Sequence, residues 1–329
     1  MGQIAKQSIQ GTIVTYIGVA IGFVTTFFVI TRFLSPQEVG LQRVLVDAAT
    51  LLIGLAQLGT NASIIRFFPY FKDKERHHGF FFWTLVVPLF GFLVFGTIYL
   101  LCRQPLSAWF AEKSPLFVHY YYMVLPLAFF MLYQTIFETN ASVLMKIVVP
   151  RAVREVGVRI GLLLVYLLYA FDLISLDGFV IGLVCVYAGA ALVNLIYLWF
   201  LEPISLRPDW TFLKANKPLV RSYALFTAFC LVSALTSVLG PSLSSFFVTA
   251  KMGLDYTGIF AIATYMAVLV AIPYRSVVAI ASPELAQTLK ENDKVKTKAK
   301  KKKYITGAHG SGSARQKAKY REQRRNRHK

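Results

Sequence analysis

Acidic residues are scarce in this chain of 329 residues, 16 against 35 lysines and arginines, and the 5 histidines and 3 cysteines are scarcer still. Each shortage excludes something. Cys102, Cys185 and Cys230 show no CxxC spacing, so neither a disulfide framework nor a zinc ribbon is available, and thiols in apolar runs behave as small apolar side chains. His77 and His78 are adjacent in KDKERHHG, a charged loop, where a solvated pair is expected and no metal site. The absence of a G-x-x-x-x-G-K-[ST] loop excludes P-loop ATP hydrolysis. A membrane glycosyltransferase or polymerase would need catalytic carboxylates or histidines on a sizeable external loop, and residues 174–178 offer Asp177 alone. No catalytic residue, metal or cofactor is therefore assigned.

What the chain has in excess is apolar surface: 56% of its residues are hydrophobic and 15% aromatic, a composition that points to a membrane protein. The first apolar run begins near Gly11, is long enough to cross a bilayer and has no small-residue cleavage site after it, so it is expected to remain as a helix rather than leave as a signal peptide. Met1-Gly2 is no myristoylation signal, because Lys6 stands where that motif needs Ser or Thr.

A crossing helix takes about 20 mostly apolar residues, and in lipid only closed backbone hydrogen bonding survives. Segments of that kind lie at 11–33, 41–65, 80–102, 117–144, 155–173, 178–201, 219–250 and 256–281. The expected fold is thus an all-α membrane protein with eight transmembrane helices. Between the third and fourth, QPLSAWFAEKSP (104–115) carries Trp109 and Phe110 among polar residues, which suits a short interfacial helix.

Basic residues set the orientation. With the N-terminus cytoplasmic, the inner side collects Lys6, Arg66, Lys72, Lys74, Arg76, Lys146, Arg151, Arg154, Arg207, Lys214, Lys217 and Arg221, and the outer side Arg32, Arg43, Arg103, Lys113 and Lys251. That asymmetry predicts an N-in topology. The remaining charge is concentrated at the end, where residues 291–329 hold 15 Lys+Arg against 3 Asp+Glu. Such a segment cannot bury a core and is expected to be a disordered cytoplasmic tail. Its aromatics are Tyr304 and Tyr320, so nucleic acid is not the expected partner.

The second span carries the main functional signal. On a helix of about 100° per residue, Arg43, Asp47, Thr50, Gly54, Gln57 and Asn61 fall within an arc of about 80°. Leu45, Val46, Leu51, Leu52, Ile53, Leu55 and Leu58 cover the rest and suit lipid or neighbouring helices. A charge in the bilayer costs about 2.5–3.5 kcal/mol on insertion scales, and such groups normally face the protein interior or a water-filled cavity. The polar edge is read as a cavity lining. The bland alternative is self-compensation: Arg43 and Asp47 pair at i and i+4, and Gln57 and Asn61 bond neighbouring helices.

The seventh span, 219–250, is too long for a straight crossing and contains Gly240-Pro241 with Ser233, Thr236, Ser237, Ser244 and Ser245 around it. A break is expected there, of the kind that lies beside transporter cavities. Pro88, Pro126 and Pro273 predict kinks in other spans.

FFVITRFLSPQEVGL (27–41) has an echo in FFVTAKMGLDYTGIF (246–260) once one residue of gap is allowed: Arg32 answers to Lys251 and Gly40 to Gly258. Six helices separate them, so the repeat is parallel, about an axis along the membrane normal. The expected organisation is a six-helix lobe over 1–215, an incomplete second lobe of two helices over 216–290, and the tail 291–329. A complete second lobe would run further than this chain does.

With the first two helices and the repeat in place, the sequence resembles the polysaccharide exporter branch of the multidrug, oligosaccharidyl-lipid and polysaccharide flippase superfamily. The residues that carry the likeness are Thr31-Arg32-Phe33-Leu34-Ser35-Pro36 with Gly40-Leu41, which resemble that family's Ala-Arg-x-Leu-x-Pro-x-x-x-Gly-Leu signature; Leu58-Gly59 to Arg66; and Ser282-Pro283-Glu284-Leu285-Ala286. The resemblance implies two six-helix lobes, alternating access between them, and flipping of an undecaprenyl-diphosphate-linked oligosaccharide, an O-antigen or capsule precursor, across a bacterial inner membrane. Lipid-linked oligosaccharide and membrane lipids are the implied partners, with a glycan polymerase or glycosyltransferases beside them and no ATPase. Against such a substrate the cavity lining is assigned to Arg43, Asp47, Thr50, Gln57, Asn61, Arg66, Arg159 and Arg275, the arginines facing the diphosphate. Asp47 and Glu138 are the candidates for ion coupling. The rivals are a multidrug exporter of the same superfamily, a membrane glycosyltransferase or polymerase, and an inert truncated product.

Overall fold

The computed structural model describes residues 3–71, 79–201, 216–268 and 320–326, the side chains of 3–9 and 231–241 excepted. Every regular element among the described residues is helical. Helix α1 (Gln3–Val24) runs on through a π-helical stretch, Thr25–Ile30, and a last turn, Thr31–Phe33. There follow α2 (Pro36–Ala56), α3 (Thr60–Phe71), α4 (Phe80–Leu101), α5 (Arg103–Ala111), α6 (Pro115–His119) and α7 (Val124–Val143). Helix α8 (Val148–Ala152) joins α9 (Val158–Ala170) through a second π-helical stretch, Val153–Gly157. The chain continues with α10 (Leu176–Leu201), α11 (Lys217–Met252) and α12 (Leu254–Val268).

Among the described residues, four helical stretches are long and apolar enough to cross a membrane: Gln10–Phe33, Pro36–Ala56, Phe80–Leu101 and Leu176–Leu201. The other four expected crossings overlap α7, the α8–α9 run, α11 and α12, none of which is among those four, α12 being a shorter apolar helix. Residues 269–281, the end of the eighth expected span, lie outside the described residues, as do the tail up to 319, the loop with His77 and His78, and the expected lobe boundary near 215. The chain divides into two units, Met1–Ala263 and Thr264–Lys329. In the second, 264–268 and 320–326 are helical, the latter exposed throughout.

Within the first unit α2 is the central helix, packed against α4, α7 and α11. From Val39 to Asn61 none of its residues, nor of the turn after it, is exposed. The apolar side chains that suited lipid or neighbouring helices therefore meet helices: Leu41, Val44, Leu45 and Leu52 share one core with Phe110, Tyr121, Leu127, Phe179, Ala250 and Leu254. Its start is well specified. Ser35 accepts from the Glu38 backbone N–H while the Glu38 carboxylate accepts from that of Ser35, and Pro36 opens the helix, a reciprocal cap that ties down two orphan donors.

The expected second span is one helix in the sequence and two in the structure. Helix α2 stops at Ala56, the turn passes through Leu58 (φ 49°) and Gly59 (φ 72°), and α3 starts at Thr60. Two consecutive left-handed residues end a helix, and Leu58 is the strained member because it carries a Cβ. The reverse holds in the seventh span, where Gly240-Pro241 was expected to break the chain: α11 continues through it from Lys217 to Met252. A proline inside a helix removes one hydrogen bond and crowds one carbonyl, which a long helix absorbs without ending. The segment expected to lie at the interface forms α5, with Phe110 buried and Trp109 at 42% exposure.

Candidate functional site

The polar edge of α2 is a chain of locally satisfied groups. Arg43 Nε donates to Asp47 Oδ2 at 2.7 Å, the carboxylate 11% exposed and the guanidinium side chain 28%. Asp47 also faces the hydroxyl of Ser245 on α11, a buried group that makes no hydrogen bond of normal geometry. Thr50 donates to the carbonyl of Val46, the back-bond that hydroxyls adopt inside helices. Beyond the break, Asn61 Nδ2 donates to Gln57 Oε1 at 2.9 Å, and Thr139 of α7 donates to Asn61 Oδ1 at 3.3 Å. Arg43, Thr50, Gln57 and Asn61 all stay half-buried, so the edge keeps some solvent access while each group has a partner. The Arg43–Asp47 pair is the self-compensation named above, whereas Gln57 and Asn61 bond each other and Asn61 alone is reached from a neighbouring helix; the edge still meets α7 at Thr139 and α11 at Ser245.

The remaining assigned residues go elsewhere. Arg66, on α3, is exposed and lies over the ring of Phe226 at 4.2 Å and that of Phe67 at 5.6 Å, a cation–π arrangement suited to a guanidinium. Phe67 meets Tyr223 and Phe226 edge-on, and Ser63 shares a 2.7 Å hydrogen bond with Thr227, so α3 is fastened to α11 here. Arg159 and Glu138 belong to one ionic chain. Arg154 donates to Glu138 at 2.9 Å and to Glu155 at 3.2 and 3.1 Å; Arg159 donates to Glu155 at 3.3 Å and to the carbonyl of Gly18 at 2.9 Å. That chain ties α7, the second π-helical stretch and α9 to α1. Arg275 lies outside the described residues. Among the described residues no group of three or more His, Cys, Asp or Glu could hold a metal ion.

Sequence reading missed Ser245, Thr139, Arg154 and Glu155 as neighbours of the assigned groups. The Glu155–Arg159 spacing of i, i+4 was a usable signal. It also missed the hydrogen bonds that fasten α2 and the next helices at one end: Glu38 to Tyr169, Gln42 to Tyr166 and Tyr120 to Asp177.

A helical bundle whose central helix buries an ion pair, and which includes several apolar helices of bilayer length, fits a membrane protein of polytopic type. The chain belongs to the polysaccharide biosynthesis protein family, whose model matches residues 4–288. No curated protein and no solved structure matches the chain.

Proposed function

We propose that the chain flips an undecaprenyl-diphosphate-linked oligosaccharide, a precursor of O-antigen or capsular polysaccharide, across the bacterial inner membrane by alternating access. Family membership points to polysaccharide-related membrane transport. The observation that carries the finer reading is the polar edge running from Arg43 through Asp47, Thr50 and Gln57 along the central helix and on to Asn61 at the start of α3. A sugar head group needs hydrogen-bonding partners through the bilayer and a diphosphate needs fixed cations, while the polyprenyl tail stays in lipid. Arg43 supplies the cation on this edge, Arg66, Arg159 and Arg275 are the further cations proposed for the diphosphate away from it, and Asp47 and Glu138 are the groups able to couple an ion.

The crossings number eight in this proposal, with the N-terminus and the basic tail cytoplasmic. The protein acts as a transporter and not as an enzyme, without an ATPase, and delivers its glycan to a polymerase or glycosyltransferases. The test is complementation of a flippase-deficient strain with this chain, the strain's own flippase and an Arg43→Ala variant. Restored surface glycan that falls away in Arg43→Ala supports the proposal. Failure of the parent chain to restore any glycan overturns it for this chain alone; an alanine variant as good as the parent removes Arg43 from the path.

A further inference from the structure

The two turns that the repeat pairs, 33–36 and 252–254, meet in space through their glycines. A Cβ on Gly40 would fall well under 3.0 Å from the carbonyl oxygen of Leu254, and a Cβ on Gly258 would fall equally close to the carbonyl oxygen of Pro36. The relation is reciprocal. Pro36 and Leu254 are the first residues of α2 and α12, Gly40 and Gly258 stand four residues on, and each pair is 218 residues apart (254 from 36, 258 from 40). The two helix starts therefore cross about a local two-fold axis, each glycine seated on the other's opening carbonyl. Gly18 and Gly91 also approach carbonyls, of Glu155 and Ala56, but one-sidedly and without a repeat partner.

Each turn is locked within itself. Ser35 and Glu38 cap the first; in the second, Gly253 takes φ 100°, Thr249 and Thr257 share a 2.9 Å hydrogen bond, and Thr257 donates to the Gly253 carbonyl. Between Gly40 and Leu254, and between Gly258 and Pro36, the contact is backbone against backbone with no side chain interposed. Around it, Ser114 donates to the Thr249 carbonyl at 2.8 Å, and Trp109 and Phe110 pack on Phe247 and Phe246. Two stiff elements touching through weak Cα–H contacts can part as rigid bodies and return to one register.

We infer that Gly40 and Gly258 form a latch that closes the transport path at the end of the bundle bearing the α1–α2 and α11–α12 turns. This rests on the transport reading above, whose orientation makes that end the outer one. Adding a Cβ at both glycines pushes the helix starts apart and holds the latch open.

The test uses the full chain with Cys102, Cys185 and Cys230 replaced by serine and Leu254→Cys as reporter, since Leu254 is 2% exposed in the closed latch. A membrane-impermeant maleimide added to intact cells should label the reporter slowly in the parent and roughly tenfold faster in Gly40→Ala/Gly258→Ala, a shift of population toward the open state. Gly96→Ala, whose added Cβ meets only a Leu125 methyl at 3.6 Å, should label like the parent. Acceleration seen only in inverted vesicles keeps the latch and overturns the orientation. A folded double-alanine variant labelled at the parent rate from both sides overturns the latch. Should that variant fail to accumulate, spin labels on Gln37→Cys and Tyr256→Cys, both exposed, decide with the glycines intact: two distance maxima support a latch, and a single one in every sample overturns it.

Discussion

Helices α2 and α4 are neighbours of similar length, and they reverse the usual relation between polarity and burial. In α2, with mean hydropathy 1.6 over its most apolar stretch, 61% of that stretch is buried; in α4, with mean hydropathy 2.2, only 22% is. Phe90, Leu93 and Leu101 of α4 are exposed at 64, 59 and 77%, whereas Asp47 of α2 is at 7%. In water this arrangement would leave a large apolar surface unprotected. In a bilayer it is the low-energy one, because lipid tails solvate Phe and Leu as well as a protein core does, and the charged pair alone has to be kept from them.

The largest expected effect comes from breaking the charge balance inside α2. Asp47→Ala leaves Arg43 without its carboxylate and should cost about 3 kcal/mol, at the low end for a broken buried pair because the arginine keeps some solvent access. Thermal unfolding in detergent reads the loss, and the double change Arg43→Met/Asp47→Leu should recover most of it. Next in size is Phe90→Arg, which places a charge on the lipid-facing side of α4 and should cost about 2.5 kcal/mol of insertion free energy. A glycosylation-based insertion assay measures it; a surface facing water would show no change. Smaller, at about 1–3 kcal/mol, is Gly91→Ala, where the new Cβ meets the Ala56 carbonyl at the end of α2. Gly96→Ala, one and a half turns on, should stay within about 0.5 kcal/mol. The smallest effect is that of Thr50→Val. Its hydroxyl bonds its own helix, so stability should move by less than about 0.5 kcal/mol, and glycan export measured beside it tells whether the hydroxyl also serves the substrate.

The α2–α4 contrast was partly legible in advance. The shared face of Arg43, Asp47, Thr50 and Gln57 follows from helical spacing, and the Arg43–Asp47 pair forms where that spacing puts it; Gln57 and Asn61, expected to bond neighbouring helices, instead bond each other across the break. The break at Leu58–Gly59 was not legible, since the apolar pattern runs on through it and a left-handed leucine has no sequence signal. Gly240-Pro241 carried the opposite error: a strong local breaker that a 36-residue helix passes through. Glu138 and Arg154 are 16 residues apart in the sequence and meet at 2.9 Å only because α7 and the second π-helical stretch pack together.

Partition between lipid and water and the periodicity of side chains act along the chain, one segment at a time. For that reason the sequence was enough to assign a helical membrane protein, the spans later found as long apolar helices, and the polar edge of α2. Which helices become neighbours depends on shape, because in lipid one apolar face is as well solvated as another and exerts no preference of its own. The seating of Ser245 against Asp47, of Phe226 under Arg66, and of Gly40 and Gly258 on each other's carbonyls had to come from the packed bundle.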